Sequence, residues 1–276
     1  MKKRTEKISD VLRNAYNLDI SKFDDSFLDK IIDNRLAKSG FKSVEEYSCL
    51  LELNKLEADS FVDSLSINYS EFFRNPITFA YIEQLILPQL ADRKVKNGEK
   101  EIRIWSAACA SGQEPYSISI LCNELKEAGN KDLMTLIFGT DNNKEELRKA
   151  QAGVYSPASL ARVGLKFAGK YFSKSGDSYS VLPSVSENVL FSHFDLFSET
   201  DTCPPISIYG NFDIVFCCNL LFYYNKESRS LIMDKLNKSV TKEGYLVTGE
   251  SERNFLMKNN YHEVFPASAI FQRNNY

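Results

Sequence analysis

"WSAACASGQEPYS" (105–117) is the stretch whose reading decides the fold. It follows "EIRIWSAA", a strand, and leads into "EPYSISILCNELKEAG", a helix with Pro115 in its first turn. A strand, a tight turn and a helix in that order form the unit on which many α/β enzymes bind a nucleotide. This turn has one glycine, Gly112, and no basic residue. Glu114 near the helix start would repel a phosphate, so the turn is built for something other than a phosphate.

Outward from that turn the β–α rhythm continues. "LMTLIFGTD" is a strand and "NKEELRKAQAG" a helix; "FDIVFCCN" is a strand and "NKESRSLIMDKLNKSV" a helix; "GYLVTGE" is a further strand. This alternation predicts a mostly parallel sheet covered by helices on both faces. The stretch 171–197 breaks it with short strand-like pieces and turn signals at Ser175–Gly176 and Pro183, which predicts a small antiparallel β insert at about 171–192.

Residues 1–66 show helical spacing only. Leu28, Ile31, Ile32 and Leu36 share a face, Ser26 is placed to cap that helix, and Gly40 ends it. Ser43 followed by Glu46 reads as a capping box. The expected organisation is a small all-α domain at 1–66, then an α/β domain at 67–276.

Composition narrows the function. The 276 residues carry a formal net charge of -3, and a pI near 5.6 argues against a nucleic-acid binder. Six cysteines without a CxxC pair, and only two histidines, make a poor structural zinc site. They read as reduced core residues of a cytoplasmic protein, with no metal. "MKKRTEKISDVLRN" lacks the apolar run of a secretory signal. The most apolar stretch, "FDIVFCCNLLFYY" (212–224), contains Asp213 and Asn219 and is too short to cross a bilayer.

In an open parallel sheet, ligands bind beyond the C-terminal strand ends. At the first end, Ala107, Ala108, Ala110, Ser111 and Gly112 allow close approach, and Glu114 suits an amino or hydroxyl donor; a plain tight turn is the alternative. At the second, Asp141 is placed to accept from two ribose hydroxyls, or to cap the helix after it. At the third, Asp195 in "HFDLF" suits an adenine amino group with Leu196 against the ring, or a surface turn. At the fourth, Asn219 ends a buried strand and needs a partner, ligand or backbone; Leu220, Tyr223 and Tyr224 follow. Ahead of the sheet, Arg74 in "SINYSEFFRNPITF" (66–79) lies beside two phenylalanines and is suited to grip a carboxylate. A ligand with ribose, adenine and an amino-acid tail but no phosphate fits this set, and S-adenosylmethionine is such a ligand.

An ordered series of motifs over roughly residues 60–255 resembles the chemotaxis-receptor methyltransferases (CheR type). "NYSEFFRN" is similar to the family's N-L-T-x-F-F-R, and "WSAACASGQEPYS" to its W-S-A-A-x-S-x-G-E-E-P-Y-S. "GTDNNKEELRKAQAGVY", "FDIVFCCNLLFYY" and "GYLVTGESE" follow in the family's order. The resemblance implies a Rossmann-like S-adenosylmethionine methyltransferase sheet that esterifies glutamate side chains on the cytoplasmic helices of chemoreceptors, leaving S-adenosylhomocysteine. It implies that Asn68, Ser70, Arg74, Glu114, Asp141, Asp195, Asn219 and Tyr223 line the cofactor and reaction site. Ala107, Leu196 and Leu220 join the cofactor-binding set, and Arg74 and Tyr223 are the catalytic candidates. The family's helical domain faces the receptor, and its β insert can dock a receptor C-terminal tail. There are departures: Cys218 replaces the family's arginine, Glu250 a histidine, Gln113 a glutamate, and Asp195 the asparagine of many members.

The implied reaction is an in-line attack of a glutamate carboxylate on the sulfonium methyl. A glutamate with a reference pKa of about 4.3 is already ionised near pH 7, so no general base is needed. Alignment and removal of water would carry the catalysis. Arg35, Lys38 and Lys42 could meet an acidic receptor helix, although so few charges fit a solvated face as well. Four rivals are weighed against this reading. A protein methyltransferase acting on a carboxylate outside the receptors would keep the same motifs, and methylation of purified candidates separates the two. A nucleic-acid methyltransferase lacks its (N/D)-P-P-(Y/F) motif, a dehydrogenase lacks its glycine fingerprint, and a cofactor-binding module without turnover draws support from Cys218.

Overall fold

The computed structural model describes residues 3–66, 68–129 and 133–274. Met1 and Lys2 of the basic N-terminal stretch, and Ile67 at the expected domain boundary, lie outside them. The chain forms two compact units, Met1–Ile67 with Leu220–Ile232, and Asn68–Asn219 with Met233–Tyr276.

The first unit packs α1 (Arg4–Tyr16), α2 (Asp25–Ser39), α3 (Val44–Leu53) and α4 (Lys55–Asp63). Their apolar stripes close a core of Ile8, Leu12, Leu28, Ile32, Tyr47, Leu51 and Phe61. Gly40, with φ 76°, ends α2. Asp24 caps that helix, not Ser26: its Oδ1 accepts the Ser26 N–H at 3.0 Å and the Ser26 hydroxyl at 2.6 Å. A carboxylate at that position outcompetes the hydroxyl because it accepts both donors at once. Ser43 Oγ accepts the Glu46 N–H at 3.2 Å, while the Glu46 carboxylate turns to Lys42 N, so only half of the capping box forms. Arg35 is not a free receptor-facing charge. Its Nε donates to Glu57 Oε1 at 3.0 Å, and the Tyr47 hydroxyl donates to the same oxygen at 2.7 Å. A partly buried guanidinium between helices needs a carboxylate partner, and Glu57 supplies it.

The second unit opens with α5 (Pro76–Tyr81), which runs through a single π turn (Ile82–Ile86) into α6 (Leu87–Lys96). Its sheet strands and helices follow as β1 (Glu101–Ala107), α7 (Gln113–Glu127), β2 (Met134–Asp141) and α8 (Lys144–Ala152). Next come β3 (Val154–Tyr155), α9 (Leu165–Tyr171), β4 (Phe172–Ser175), β5 (Ser178–Val181) and α10 (Pro183–Ser186). The chain then forms β6 (Val189–His193), β7 (Phe212–Cys217), α11 (Lys226–Ser239), β8 (Val240–Thr248), α12 (Arg253–Met257), β9 (Tyr261–Glu263) and β10 (Ile270–Arg273).

Seven strands form one sheet in the order β6-β2-β1-β7-β8-β10-β9. Neighbours from β6 to β8 run parallel, and β10 runs antiparallel to both β8 and β9. This is the α/β architecture expected from the alternation, with one antiparallel strand near an edge. The insert is a three-stranded antiparallel sheet in the order β3-β5-β4. Its limits differ from 171–192. It takes in Val154–Tyr155, and Val189–His193 leaves it to pair in parallel with β2. Short strands of similar composition carry no local mark of which sheet they join, so partner choice decides it.

β7 shows how a charge survives inside an apolar run. Asp213 is 2% exposed, yet it accepts the Arg103 N–H at 2.9 Å and pairs with Lys94 Nζ at 2.8 Å. Those bonds offset its desolvation.

Candidate functional site

The parallel order β6-β2-β1-β7 puts four strand ends side by side. The turns after them carry the residues that the sequence reading singles out.

The turn after β1 is held from below and from the side. Cys109 N–H donates to the Thr140 carbonyl at 2.8 Å, and Ala110 N–H donates to Asp141 Oδ2 at 2.8 Å. Ala108 and Ala110 have φ of 59° and 46°, a conformation that small residues tolerate best. Gly112 has φ 90°, and a Cβ there would lie 2.8 Å from the Ala150 Cβ. The turn therefore closes down on α8 with no room for a side chain. Ala107, 1% exposed, is the last residue of β1 and pairs with Thr140.

Asp141 organises two turns at once. Its Oδ2 takes Ala110 N–H, and its Oδ1 takes Asn143 N–H at 2.8 Å. It is not the helix cap. Asn143 caps α8, its side-chain oxygen accepting from Glu145 and Glu146 N–H. Each Asp141 oxygen keeps a lone pair for another donor. Burial raises the Asp141 pKa, opposed by the backbone N–H groups. Asn143 Nδ2 also donates to Asn68 Oδ1 at 3.3 Å, so the first motif reaches this corner. Ser70 lies two residues further, half-buried.

Glu114 sits at the centre. Ser106 Oγ donates to its Oε1 at 2.7 Å, and the Cys218 thiol, which donates to the Val247 carbonyl at 3.7 Å, lies beside it. Burial pushes its pKa up to about 6, while Ser106, Cys218 and the charge of Arg74 pull the other way. The Cys218 thiol is pushed up by burial and by the Glu114 carboxylate, so it stays protonated and keeps its bond to the Val247 carbonyl.

Asn219 follows in a left-handed conformation, φ 59°. Its backbone N–H donates to Glu252 Oε2 at 2.9 Å. Its side-chain Oδ1 is buried and has no hydrogen-bond partner among the described residues. A buried orphan acceptor is rare in a folded protein and marks a position where a ligand donor fits. Asp195 accepts Phe197 N–H at 2.9 Å in its own turn, and Leu196 is buried. The surface-turn reading of Asp195 is thus met by geometry, with its second oxygen left over.

Arg74 and Asn219 line one cleft of 460 Å³ with Tyr69, Glu71, Arg162, Glu250 and Ser251. Phe73, φ 50°, donates its N–H to Ser117 Oγ at 3.0 Å, which ties the motif to α7. The Arg74 guanidinium lies 5.0 Å from the Tyr69 ring centroid, a cation–π contact. Arg162 was not singled out from the sequence. Its Nη1 donates to the Arg74 carbonyl at 3.0 Å, and its Nε pairs with Glu71 at 3.1 Å. Only contact reveals that role, because 88 residues separate the two arginines. Leu220 and Tyr223 group with the helical unit, where Tyr223 meets Phe27 edge-on at 4.9 Å.

Residues 68–270 match the family model described as "CheR methyltransferase, SAM binding domain". The chain belongs to the CheR methyltransferase family. A chemotaxis protein methyltransferase of Borreliella burgdorferi is 28% identical over 245 residues, covering 88% of this chain and 85% of that one. Chemotaxis protein methyltransferase 1 of Pseudomonas aeruginosa is 31% identical over 216 residues, covering 77% and 76%. Among solved structures, the magnesium protoporphyrin IX methyltransferase of Synechocystis PCC 6803 is similar at 18% identity and a TM-score of 0.32, over 70% of this chain and 77% of that one. As a CheR-family member the chain is an S-adenosylmethionine-dependent methyltransferase of chemotaxis. Its site suits that cofactor: small residues on one side, carboxylates for donors, an orphan amide oxygen, and no phosphate-binding loop. No helix among the described residues is long and apolar enough to cross a membrane.

Proposed function

We propose that this enzyme methylates glutamate side chains on the cytoplasmic helices of chemoreceptors. Arg74 is the observation that carries the reading. Its guanidinium rests on Tyr69 in an open cleft and has no ion-pair partner among the described residues. A cation pre-oriented and left free is suited to hold a carboxylate. S-adenosylmethionine supplies an electrophilic methyl group when bound. Asp141 accepts from its ribose hydroxyls and Glu114 from its ammonium group. Asn219 offers its free Oδ1, and Asn68, Ser70 and Ala107 complete the lining. Asp195 and Leu196 serve the adenine. Arg74 orients the acceptor carboxylate. No residue needs to remove a proton from an acceptor that is already ionised.

Residues 1–66 act as the receptor-facing helical domain and 67–276 as the methyltransferase domain, working in the cytoplasm. A receptor C-terminal tail adds a strand to the insert, whose outer strand β4 has one sheet neighbour.

The test is transfer of radiolabelled methyl to membranes bearing the receptors of the source organism, with label counted as methanol released by mild alkali. Label on receptor bands that is lost in Asp141→Ala and reduced at least about tenfold in Arg74→Ala supports the reading. Arg74→Ala with near-full turnover removes Arg74 from its role. Cofactor binding without any label favours a binding module or a substrate outside the receptors.

A further inference from the structure

Glu252 is a buried carboxylate that the reaction does not use. It is 2% exposed. Its Oε2 accepts two backbone N–H groups, from Asn219 at 2.9 Å and from Gly249 at 2.8 Å. One oxygen thus staples the end of β7 to the end of β8, across 33 residues of sequence.

Gly249 fits the same device. Its own backbone, φ -72°, needs no glycine. A Cβ there would lie 2.4 Å from Asn219 Nδ2 and 3.0 Å from Asn219 N. The glycine is required by the neighbour, and the neighbour is Asn219.

Asn219 itself is the strained element, in the left-handed region with its Oδ1 buried and unpartnered. A left-handed residue with an unsatisfied buried acceptor persists only where its surroundings hold it. The carboxylate fixes its backbone, and the glycine leaves space for its amide.

We propose that Glu252 is a positioning residue. It locks Asn219 in the one conformation that offers Oδ1 to a donor N–H or O–H of S-adenosylmethionine. This deepens the cofactor assignment of Asn219 given above and rests on it.

The experiment is calorimetric titration of the full chain with S-adenosylmethionine. Glu252→Ala should weaken binding about tenfold or more, because the charge-assisted bonds that hold the Asn219 and Gly249 backbones are lost. Glu252→Gln, which keeps an acceptor oxygen, should stay within about threefold. The decisive measurement is the double variant Asn219→Ala/Glu252→Ala. If Glu252 acts through Asn219, the pair binds as weakly as Asn219→Ala alone; additive losses overturn the proposal. A folded Glu252→Ala with wild-type affinity overturns it too, provided that Asn219→Ala is weak. Wild-type affinity in Asn219→Ala sinks the cofactor assignment of Asn219 itself, and the proposal with it. Should Glu252→Ala fail to fold, Gly249→Ala displaces Asn219 with the carboxylate left in place. It should bind at least about tenfold more weakly, and retained affinity there overturns the proposal.

Discussion

The turns after β1 and β7 end neighbouring parallel strands and solve the same problem differently. Both reverse the chain through left-handed residues beside the site. The first is built from small residues and closes by close packing, with Gly112 against Ala150. The second keeps a polar residue, Asn219, and closes on a buried carboxylate, Glu252. A turn of small residues leaves space for a ligand. A clamped polar turn presents one atom to it. The contrast teaches that glycine serves two separate ends here: a backbone conformation at 112, and clearance for a neighbour at 249.

The largest expected effect comes from the carboxylate that ties the first turn to its neighbour. Asp141→Ala removes the acceptor for two backbone N–H groups and, on the proposed assignment, for the cofactor, and should lower S-adenosylmethionine affinity roughly a hundredfold. Equilibrium titration measures it. A loss smaller than that of Asn219→Ala would reverse the ranking of the two turns.

Next is packing. Gly112→Ala combines a left-handed Cβ with a 2.8 Å approach to Ala150, and should cost about 3 kcal/mol of stability. Denaturant unfolding checks it. A neutral outcome would mean that the first turn is not tight.

The third prediction concerns Glu114, which bonds Ser106 of β1 and lies beside Cys218 after β7. Its pKa of about 6 in the native state lies above the ordinary 4.5. Between those values the native state holds a proton that the unfolded chain has released, so ionisation costs native stability as pH rises through 6. Glu114→Gln should therefore be more stable than wild type at pH 7.5 by roughly 2 kcal/mol. The gap should close as pH falls towards 4.5. Wild-type cofactor affinity should weaken as pH falls through 6, and the variant should lose that dependence. Parallel pH profiles of unfolding and of binding test both signs.

The smallest effect is at the departure from the family pattern. The Cys218 thiol beside Glu114 favours its carboxylate and so lowers its pKa. Cys218→Ala should move the midpoint of the binding profile to higher pH and change affinity at pH 7.5 by less than about threefold. A larger change would assign Cys218 a direct part in binding.

The β–α alternation of the chain carries the parallel sheet, because apolar runs of strand length between amphipathic helices have few other ways to bury their faces. The first turn is legible too, since small residues between a strand and a helix constrain the backbone locally. Asp141 and Asn219 stand at strand ends, where topology alone makes them candidates. The helix cap at Asn143, the removal of Val189–His193 from the insert, and the pairing of Arg35 with Glu57 are not legible. Each depends on which of several equivalent partners comes near.

The sequence by itself determined the architecture, the family and the set of residues at the strand ends, because periodicity and motif order are properties of the chain. Only the tertiary structure decided that Glu252 reaches Asn219, that Arg162 props Arg74, and that Gly249 yields space to a neighbour. Those are contacts between segments far apart in sequence. Burial decides their worth, since a carboxylate that would be solvated in an open chain becomes, once enclosed, bound to whichever donors the fold sets before it.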